Sequence, residues 1–520
     1  MMITETTKIR IRFNETDPLG IVWHGNYITY FEDGREDFGM KHGISYLDVQ
    51  KNGFVTPIIE SSCQHKLPLR YGDIATIETT FEDSPAAKMI FSYKIFNPDG
   101  KIVATGKTIQ VFLHHKSNEL SLTLPLFFEL WKKKLPLYKM KKTYITNNHI
   151  ISSLGFNAED NFNNLVNGVS GIKEYQRPNG QKYHSSLIDK EKINMQFSKI
   201  GAVEKHTILE QMMLLSVKAI IEESKLKITN KTGIIISTTK GNVDTLASNS
   251  NFFDDKKRAY LSELGNQIQH FFGFKEEAIV LSNACVSGVL AVSVAKHLIQ
   301  SDKYDEVIVV SGDLVSEFIL SGFESFQAIS NQPCKPYSKN RTGITIGEAI
   351  ASVLVSKSIS ENAKEVVEII GTASCNDANH ISGPSRTGEG LFLSVQSALK
   401  EAQIKANQVN YISAHGTATN YNDEMESIAF DRLAMNSIPL NSLKGFYGHT
   451  LGASGLLETI IGIKSLHHNT LITTIGFDEI GVSKPLNIIE KTAQKVLNIF
   501  LKTASGFGGS NSAALFKKIN

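Results

Sequence analysis

Apolar and polar positions alternate with a period of two at the start of the chain, where Ile9, Ile11 and Phe13 are interleaved with Arg10 and Arg12. That spacing predicts a half-buried strand. From Tyr27 the period lengthens, and Tyr27, Tyr30, Phe31 and Phe38 fall on one face of a helix that Gly43 is placed to end. Four runs rich in β-branched and aromatic residues follow, around residues 56–64, 74–81, 89–96 and 102–112. Pro98-Asp99-Gly100 is the turn between the last two, since proline fixes φ and glycine accepts a positive φ. One helix against an antiparallel meander is predicted for this part. After Tyr144 short apolar strands, at 233–237, 306–311 and 411–414, are bordered by helical segments that include 210–224 and 286–299. This alternation predicts parallel α/β layers. No internal repeat is legible in the letters. Between the two parts Lys132, Lys133, Lys134, Pro136, Lys139, Lys141 and Lys142 break every period, and they read as a solvated tether, with docking of an acidic carrier protein as the functional alternative.

Composition narrows the class. The chain has 520 residues, 41% of them hydrophobic and 20% charged, too long for one core, so two or more domains are expected. Lys and Arg number 54 against 52 Asp and Glu, and a formal charge of +2 gives no reason to expect nucleic acid or an anionic membrane as partner. The first residues lack the basic-then-apolar order of a secretion signal. No stretch approaches the length of about 18 apolar residues that a membrane span needs. Cys63, Cys285, Cys334 and Cys375 lie far apart without CxxC spacing, which excludes a disulfide framework and a zinc site as readings and fits a reducing cytoplasm.

Four glycine-punctuated segments carry candidate chemistry. Asn283-Ala284-Cys285-Val286-Ser287-Gly288 follows an apolar run and opens a helical one, a position where a helix dipole favours a thiolate, although a buried structural cysteine explains one such segment as well. Ala414-His415-Gly416-Thr417-Ala418-Thr419 and Lys444-Gly445-Phe446-Tyr447-Gly448-His449-Thr450 each set a histidine in small residues at the end of an apolar run, where backbone can pass close to a ligand. Gly506-Phe507-Gly508-Gly509-Ser510-Asn511 has neither a GK[ST] ending nor GxGxxG, so P-loop and Rossmann readings fall.

In this order the segments resemble the condensing enzymes of the thiolase superfamily, specifically the type II elongating β-ketoacyl-carrier-protein synthases. The resemblance takes in Ile150-Ile151-Ser152-Ser153-Leu154-Gly155, Pro336-Tyr337-Ser338-Lys339-Asn340-Arg341 and Gly347-Glu348-Ala349. It implies a layered α/β/α/β/α ketosynthase over 143–520. Cys285 would accept an acyl group, and His415 and His449 would promote malonyl decarboxylation and stabilise the enolate. Lys444 would orient the site, Asp423 and Glu426 would support it, and Phe507 would gate it, with its amide and that of Cys285 as the oxyanion hole. The sequence departs from the family at Arg341-Thr342-Gly343-Ile344, where Arg-Asp-Gly-Phe is more usual, and 171–198 looks shortened and irregular. A thiolase proper is disfavoured for want of a second cysteine near the C-terminus, and a chain-length-factor subunit because Cys285 is present.

The string Phe13-Asn14-Glu15-Thr16-Asp17-Pro18-Leu19-Gly20-Ile21-Val22-Trp23-His24-Gly25-Asn26-Tyr27, with Thr56-Pro57-Ile58-Ile59 and Tyr71-Gly72-Asp73, resembles the 4-hydroxybenzoyl-CoA thioesterases of the hotdog fold over 1–131. By itself an Asp-Pro turn is more often only a turn or a cap. The resemblance implies Asp17 as nucleophile or base, His24 as a thioester-orienting group, and Gly25 and Asn26 amides at the oxyanion. The expected organisation is thus a hotdog domain at 1–131, a basic linker at 132–142 and a ketosynthase at 143–520. Expected partners are an acyl carrier protein and malonyl-carrier protein, with substrates held on phosphopantetheine of the carrier or of CoA. No metal or tightly bound cofactor is expected. The implied assembly is a homodimer or a pairing with another ketosynthase subunit, in fatty acid, polyketide or aryl polyene synthesis. A hotdog that only dimerises or holds substrate is the competing reading.

Overall fold

In the computed structural model the described residues are 2–519 apart from 85, 122, 135–140, 178, 378 and 380–382. The chain divides into two units, residues 1–141 and 142–520.

The first unit is built from β1 (Met2–Arg10), α1 (Asn26–His42), β2 (Ile58–His65), β3 (Ile74–Glu82), β4 (Lys88–Phe96), β5 (Ile102–Val111) and α2 (Leu126–Lys134). Its five-stranded antiparallel sheet has the order β1-β3-β4-β5-β2. Only β3 to β5 form a meander, because β2 pairs with the far side of β5. The alternation along β3 and β4 puts Ile77, Phe81, Phe91 and Tyr93 inward, against Phe31 and Phe38 of α1. Gly43, placed to end α1, does so in the left-handed conformation at φ 68°. The antiparallel sheet around the long helix α1 is the hotdog fold. Lys132 is a correction: it stands in α2, buried, with its ammonium on the Ser84 carbonyl, so the helix runs into the stretch read as tether. Pro136 and Lys139 lie outside the described residues.

The large sheet of the second unit has ten strands: β6 (Tyr144–Ser152), β7 (Thr232–Ser237), β8 (Ile279–Leu281), β9 (Glu306–Asp313), β10 (Ala349–Ser356), β11 (Val367–Asn376), β12 (Tyr411–Ser413), β13 (Leu440–Asn441), β14 (Ile499–Gly506) and β15 (Ser510–Lys518). They run β8-β7-β9-β10-β6-β11-β15-β14-β12-β13, and β6 meets β11 through only two residue pairs. Each half of five strands has the same order, third-second-fourth-fifth-first in chain sequence, so the unit is a duplicated fold whose repeat the letters concealed. The prediction of parallel layers holds in part. The first three strands of each half after the crossover pair in parallel, but β10 and β6, and likewise β15 and β11, pair antiparallel.

Helices α3 (Ile208–Ser224), α4 (Ser287–Gln300), α5 (Glu317–Ser325), α6 (Glu389–Ala402), α7 (Asn420–Arg432) and α8 (Ser454–His468) complete the layers. The apolar residues of α4 and α8 join one core with the inner faces of both halves, while α3 packs on the outer face of one half and α6 and α7 on that of the other. The architecture is the thiolase-like α/β/α/β/α sandwich. Two glycines let the central helices touch at their N-terminal ends: a methyl on Gly288 would lie 2.7 Å from the Leu456 amide nitrogen, and one on Gly455 would lie 3.0 Å from that of Val289. The segment 171–198, expected to be irregular, forms an ordered hairpin of Lys173–Gln176 and Lys182–Ser186 followed by a helix capped by Asp189.

Candidate active site

The duplication brings the starts of α4 and α8 together, and with them the residues just ahead of each. Cys285 sits in the tight turn before α4, where Ala284 takes a φ of 45° and Ser287 Oγ both accepts the Asn283 N–H and donates to the Ala284 carbonyl. His449 follows Gly448, whose φ of 67° turns the chain back so that the His449 amide donates to Thr345 O. The result is a contact of 3.1 Å between Cys285 Sγ and His449 Nε2. His449 Nδ1 accepts the Leu451 N–H at 3.1 Å, so in the neutral ring the proton belongs on Nε2, facing the sulfur. His415, two residues beyond the end of β12, sets its ring edge-to-face on that of His449 at 5.2 Å. All three line a cavity of about 570 Å³ with Phe323, Phe326 and Phe507. Thr342, Gly343 and Ile344, where the sequence departs from the family, form part of the same wall.

Electrostatics correct one expectation. Burial pushes the Cys285 thiol up to about 12, outweighing the Lys444 charge that pulls the other way, so the resting group is a thiol and the helix start does not make it a thiolate. Burial, Lys444 and Lys502 hold both histidines well below the ordinary imidazole range, with His449 adding to the effect on His415. Both rings are therefore neutral at pH 7.

The supporting residues stand beneath the histidines. Glu426 accepts the amide N–H groups of His415 and Gly416 at 2.8 and 2.7 Å and the Tyr337 hydroxyl at 2.9 Å. Asp423 accepts the Tyr337 and Ala418 amides, and burial followed by the Glu426 charge raises its carboxyl to about 7. Lys444 donates to the His415 carbonyl and pairs with Glu458 at 2.8 Å. Three groups escaped the sequence reading. Asp313, at the end of β9, accepts the amides of Thr239, Lys240 and Gly452 and so ties the loop after His449 to the first half. Glu458 and Lys502 form a buried ion pair of 2.6 Å. The signal of the last two was a charged residue between apolar neighbours and a threonine, Leu456-Leu457-Glu458-Thr459-Ile460 and Phe500-Leu501-Lys502-Thr503-Ala504.

Residues 143–359 match the N-terminal domain and 366–478 the C-terminal domain of β-ketoacyl synthases. The chain belongs to the β-ketoacyl synthase family. Ahead of this synthase, residues 11–136 match the thioesterase-like superfamily. Among its relatives is a putative mitochondrial 3-oxoacyl-[acyl-carrier-protein] synthase of Schizosaccharomyces pombe, 25% identical over 424 residues, which cover 73% of this chain and 99% of the relative. A 3-oxoacyl-[acyl-carrier-protein] synthase 2 of Vibrio harveyi is 25% identical over 412 residues, with the same coverage. The synthase fold is shared with a ketosynthase from Xenorhabdus doucetiae solved in complex with its chain length factor, at 24% identity and a TM-score of 0.65 over 74% of this chain and all of that one. Among the described residues of the synthase and its leading domain, no helix is long and apolar enough to cross a membrane.

The hotdog candidates are arranged differently. Asp17 is half-buried in a turn, where its Oδ1 accepts the Leu19 N–H at 2.8 Å and its carbonyl accepts that of Gly20. His24 is exposed, with Trp23 at 4.9 Å and His65 at 6.5 Å between ring centroids. Among the described residues no hydrogen bond links Asp17 to His24. Gly25 caps α1 beneath the Trp23 ring, leaving no room for a side chain. The Asn26 amide, expected at the oxyanion, is already donated to the Trp23 carbonyl at 2.9 Å, because the turn into α1 closes on itself there. Glu15, not singled out in the sequence, accepts the Arg12 amide and the Tyr30 hydroxyl and braces this turn.

Proposed function

We propose that the C-terminal domain is a 3-oxoacyl-[acyl-carrier-protein] synthase and that the hotdog domain hydrolyses acyl thioesters. The observation that carries the first half is the convergence of Cys285, His449 and His415 in one buried cavity. An acyl thioester on carrier phosphopantetheine meets the Cys285 sulfur. The new S–C bond forms, the old thioester C–S bond breaks, and the thiol proton leaves with the departing pantetheine sulfur. A malonyl thioester then enters. Its C–C bond to the carboxylate breaks, CO2 departs, and the electron pair collects on the thioester oxygen as an enolate. His449 Nε2–H is pre-aimed at this charge in a dry site, with the His415 imidazole beside it. The enolate carbon attacks the acyl carbonyl, the Cys285 C–S bond breaks, and the sulfur leaves as a thiolate that takes one proton from solvent to return to the resting thiol. A neutral ring suits His449 because Nδ1 can then accept the Leu451 N–H that fixes the ring while Nε2 keeps its proton to donate.

Relatives named for 3-oxoacyl-carrier-protein synthesis support a carrier protein as substrate-bearing partner. A neighbour captured with a chain length factor supports pairing through the synthase, as a homodimer or with a second ketosynthase-fold subunit. The setting is chain building of the fatty acid, polyketide or polyene kind, in the cytoplasm. The altered wall at Thr342 and Ile344 is where acyl selectivity would be read.

For the hotdog, Asp17 is the hydrolytic carboxylate and His24 its neighbour on the thioester. Fusion to the synthase keeps that activity at high effective concentration near the carrier. The engagement of Asp17 by Leu19 and of Asn26 by Trp23 favours a second reading, in which this domain binds or dimerises without hydrolysis. The test is a product assay with acyl-carrier and malonyl-carrier proteins. Extension by two carbons with release of CO2 is expected, and free acid that disappears in Asp17→Asn. Folded protein that extends no member of an acyl panel would count against the synthase, and free acid formed equally by Asp17→Asn against the hydrolase.

A further inference from the structure

Glu458 is held by two lysines. Lys444 reaches Oε1 at 2.8 Å and Lys502 reaches Oε2 at 2.6 Å, and the three side chains are at most 3% exposed. Lys502 also donates to the carbonyls of Ser413 and Ala414, at 3.1 and 3.2 Å, while Lys444 donates to that of His415. The two ammonium groups thus grip three successive carbonyls of the segment that presents His415. Three oxygens surround the Lys502 nitrogen, which suits an ammonium with three N–H bonds; a neutral amine would turn its lone pair on one of them. One carboxylate between two ammoniums leaves this cluster of three with one positive charge, set beneath the histidine pair.

Other charged or titratable groups face the pair from each packed element. Cys285 comes from the turn before α4, Asp423 and Glu426 from α7, and Asp313 from the end of β9 through Gly452. The first is a thiol and burial raises the three carboxyls; Glu426 faces both lysines and is left in place in every variant below, so the comparison reads the change of charge at Lys502 and Glu458.

We infer that Lys502 is a positioning residue for the condensation: it anchors the His415 strand and supplies the excess buried charge that keeps both histidines neutral and favours the enolate. This rests on the condensing role proposed above. Burial holds the Lys502 ammonium below the usual lysine range, and the Glu458 carboxylate offsets part of that effect.

The test follows the histidine ring signals of the full-length protein by NMR with labelled histidine, from pH 8 downward, without substrate. The net charge of the cluster is +1 in the parent, 0 in Lys502→Met, +2 in Glu458→Gln and +1 in the double variant, counting one charge per residue. Protonation midpoints of His415 and His449 are expected to rise in Lys502→Met by about one pH unit, to fall in Glu458→Gln and to return toward the parent in the double variant. Release of CO2 from malonyl pantetheine should follow the same order on its acid limb, with a loss of about tenfold at pH 7 in Lys502→Met. Midpoints that ignore the order of charge, in whichever variants fold, would overturn the inference. A parent that titrates as expected yet releases no CO2 counts against the condensing reading alone.

Discussion

The two domains hold their candidate chemistry in opposite ways. In the synthase the reactive groups are buried, and their supports are charged residues with no route to water: Glu426 under His415, Lys444 and Lys502 around Glu458, Asp313 under the loop after His449. Burying such charged groups is costly unless each is paired, so the paired supports beneath the histidines mark a site whose geometry is fixed before substrate arrives. In the hotdog, His24 is exposed, Asp17 spends one oxygen on its own turn, and no second group is aimed at it among the described residues. The synthase holds its candidate groups in a buried, braced arrangement, whereas the hotdog presents its own at the surface.

The sharpest way to break this contrast is Cys285→Ala. Condensation is expected to fall by about 10³-fold or more, while hydrolysis by the hotdog is untouched. Product mass spectra check both, and a joint loss would mean that the domains do not act separately. Next in size is His449→Ala, which should reduce malonyl decarboxylation by about 10²-fold or more through the lost donor to the enolate. Acylation of Cys285, followed by intact mass, should suffer much less; equal losses would make His449 a structural residue. Asp17→Asn sharpens the other side. Thioester hydrolysis should drop about 10²-fold with condensation unchanged, and an unaltered rate would favour the binding role.

The smallest effect concerns stability. Burial holds His149 down to about 4, so between pH 6.5 and 4 the unfolded imidazole takes up a proton that the folded one refuses. The contribution is intact above 6.5 and lost as pH falls toward 4. His149→Gln should therefore show a shallower fall of the denaturation midpoint over that window, and identical pH slopes would contradict it.

What the sequence disclosed follows the same division. Cys285, His415 and His449 were legible because each closes an apolar run with small residues, and the fold indeed brings these three together. Lys502 and Glu458 were not, since a lysine in a strand or a glutamate in a helix has no motif, and only the absence of alternation around it betrays burial. The duplication of β6 to β10 in β11 to β15 was equally hidden, because it lives in strand order and not in letters. Lys132 misled for the opposite reason, as its long apolar stem is buried in α2 while its charge still finds a carbonyl. The helix-dipole argument for Cys285 failed because burial of the sulfur is the larger effect.

The central claim is that Cys285 carries the acyl chain. The most direct measurement is the intact mass of the full-length protein mixed with a panel of acyl-carrier proteins in the absence of malonyl donor, beside Cys285→Ala. The account predicts an acyl adduct on the parent that is missing from the variant and is discharged when malonyl-carrier protein is added. An adduct of the same yield on Cys285→Ala, or none on folded parent across the panel, would contradict it.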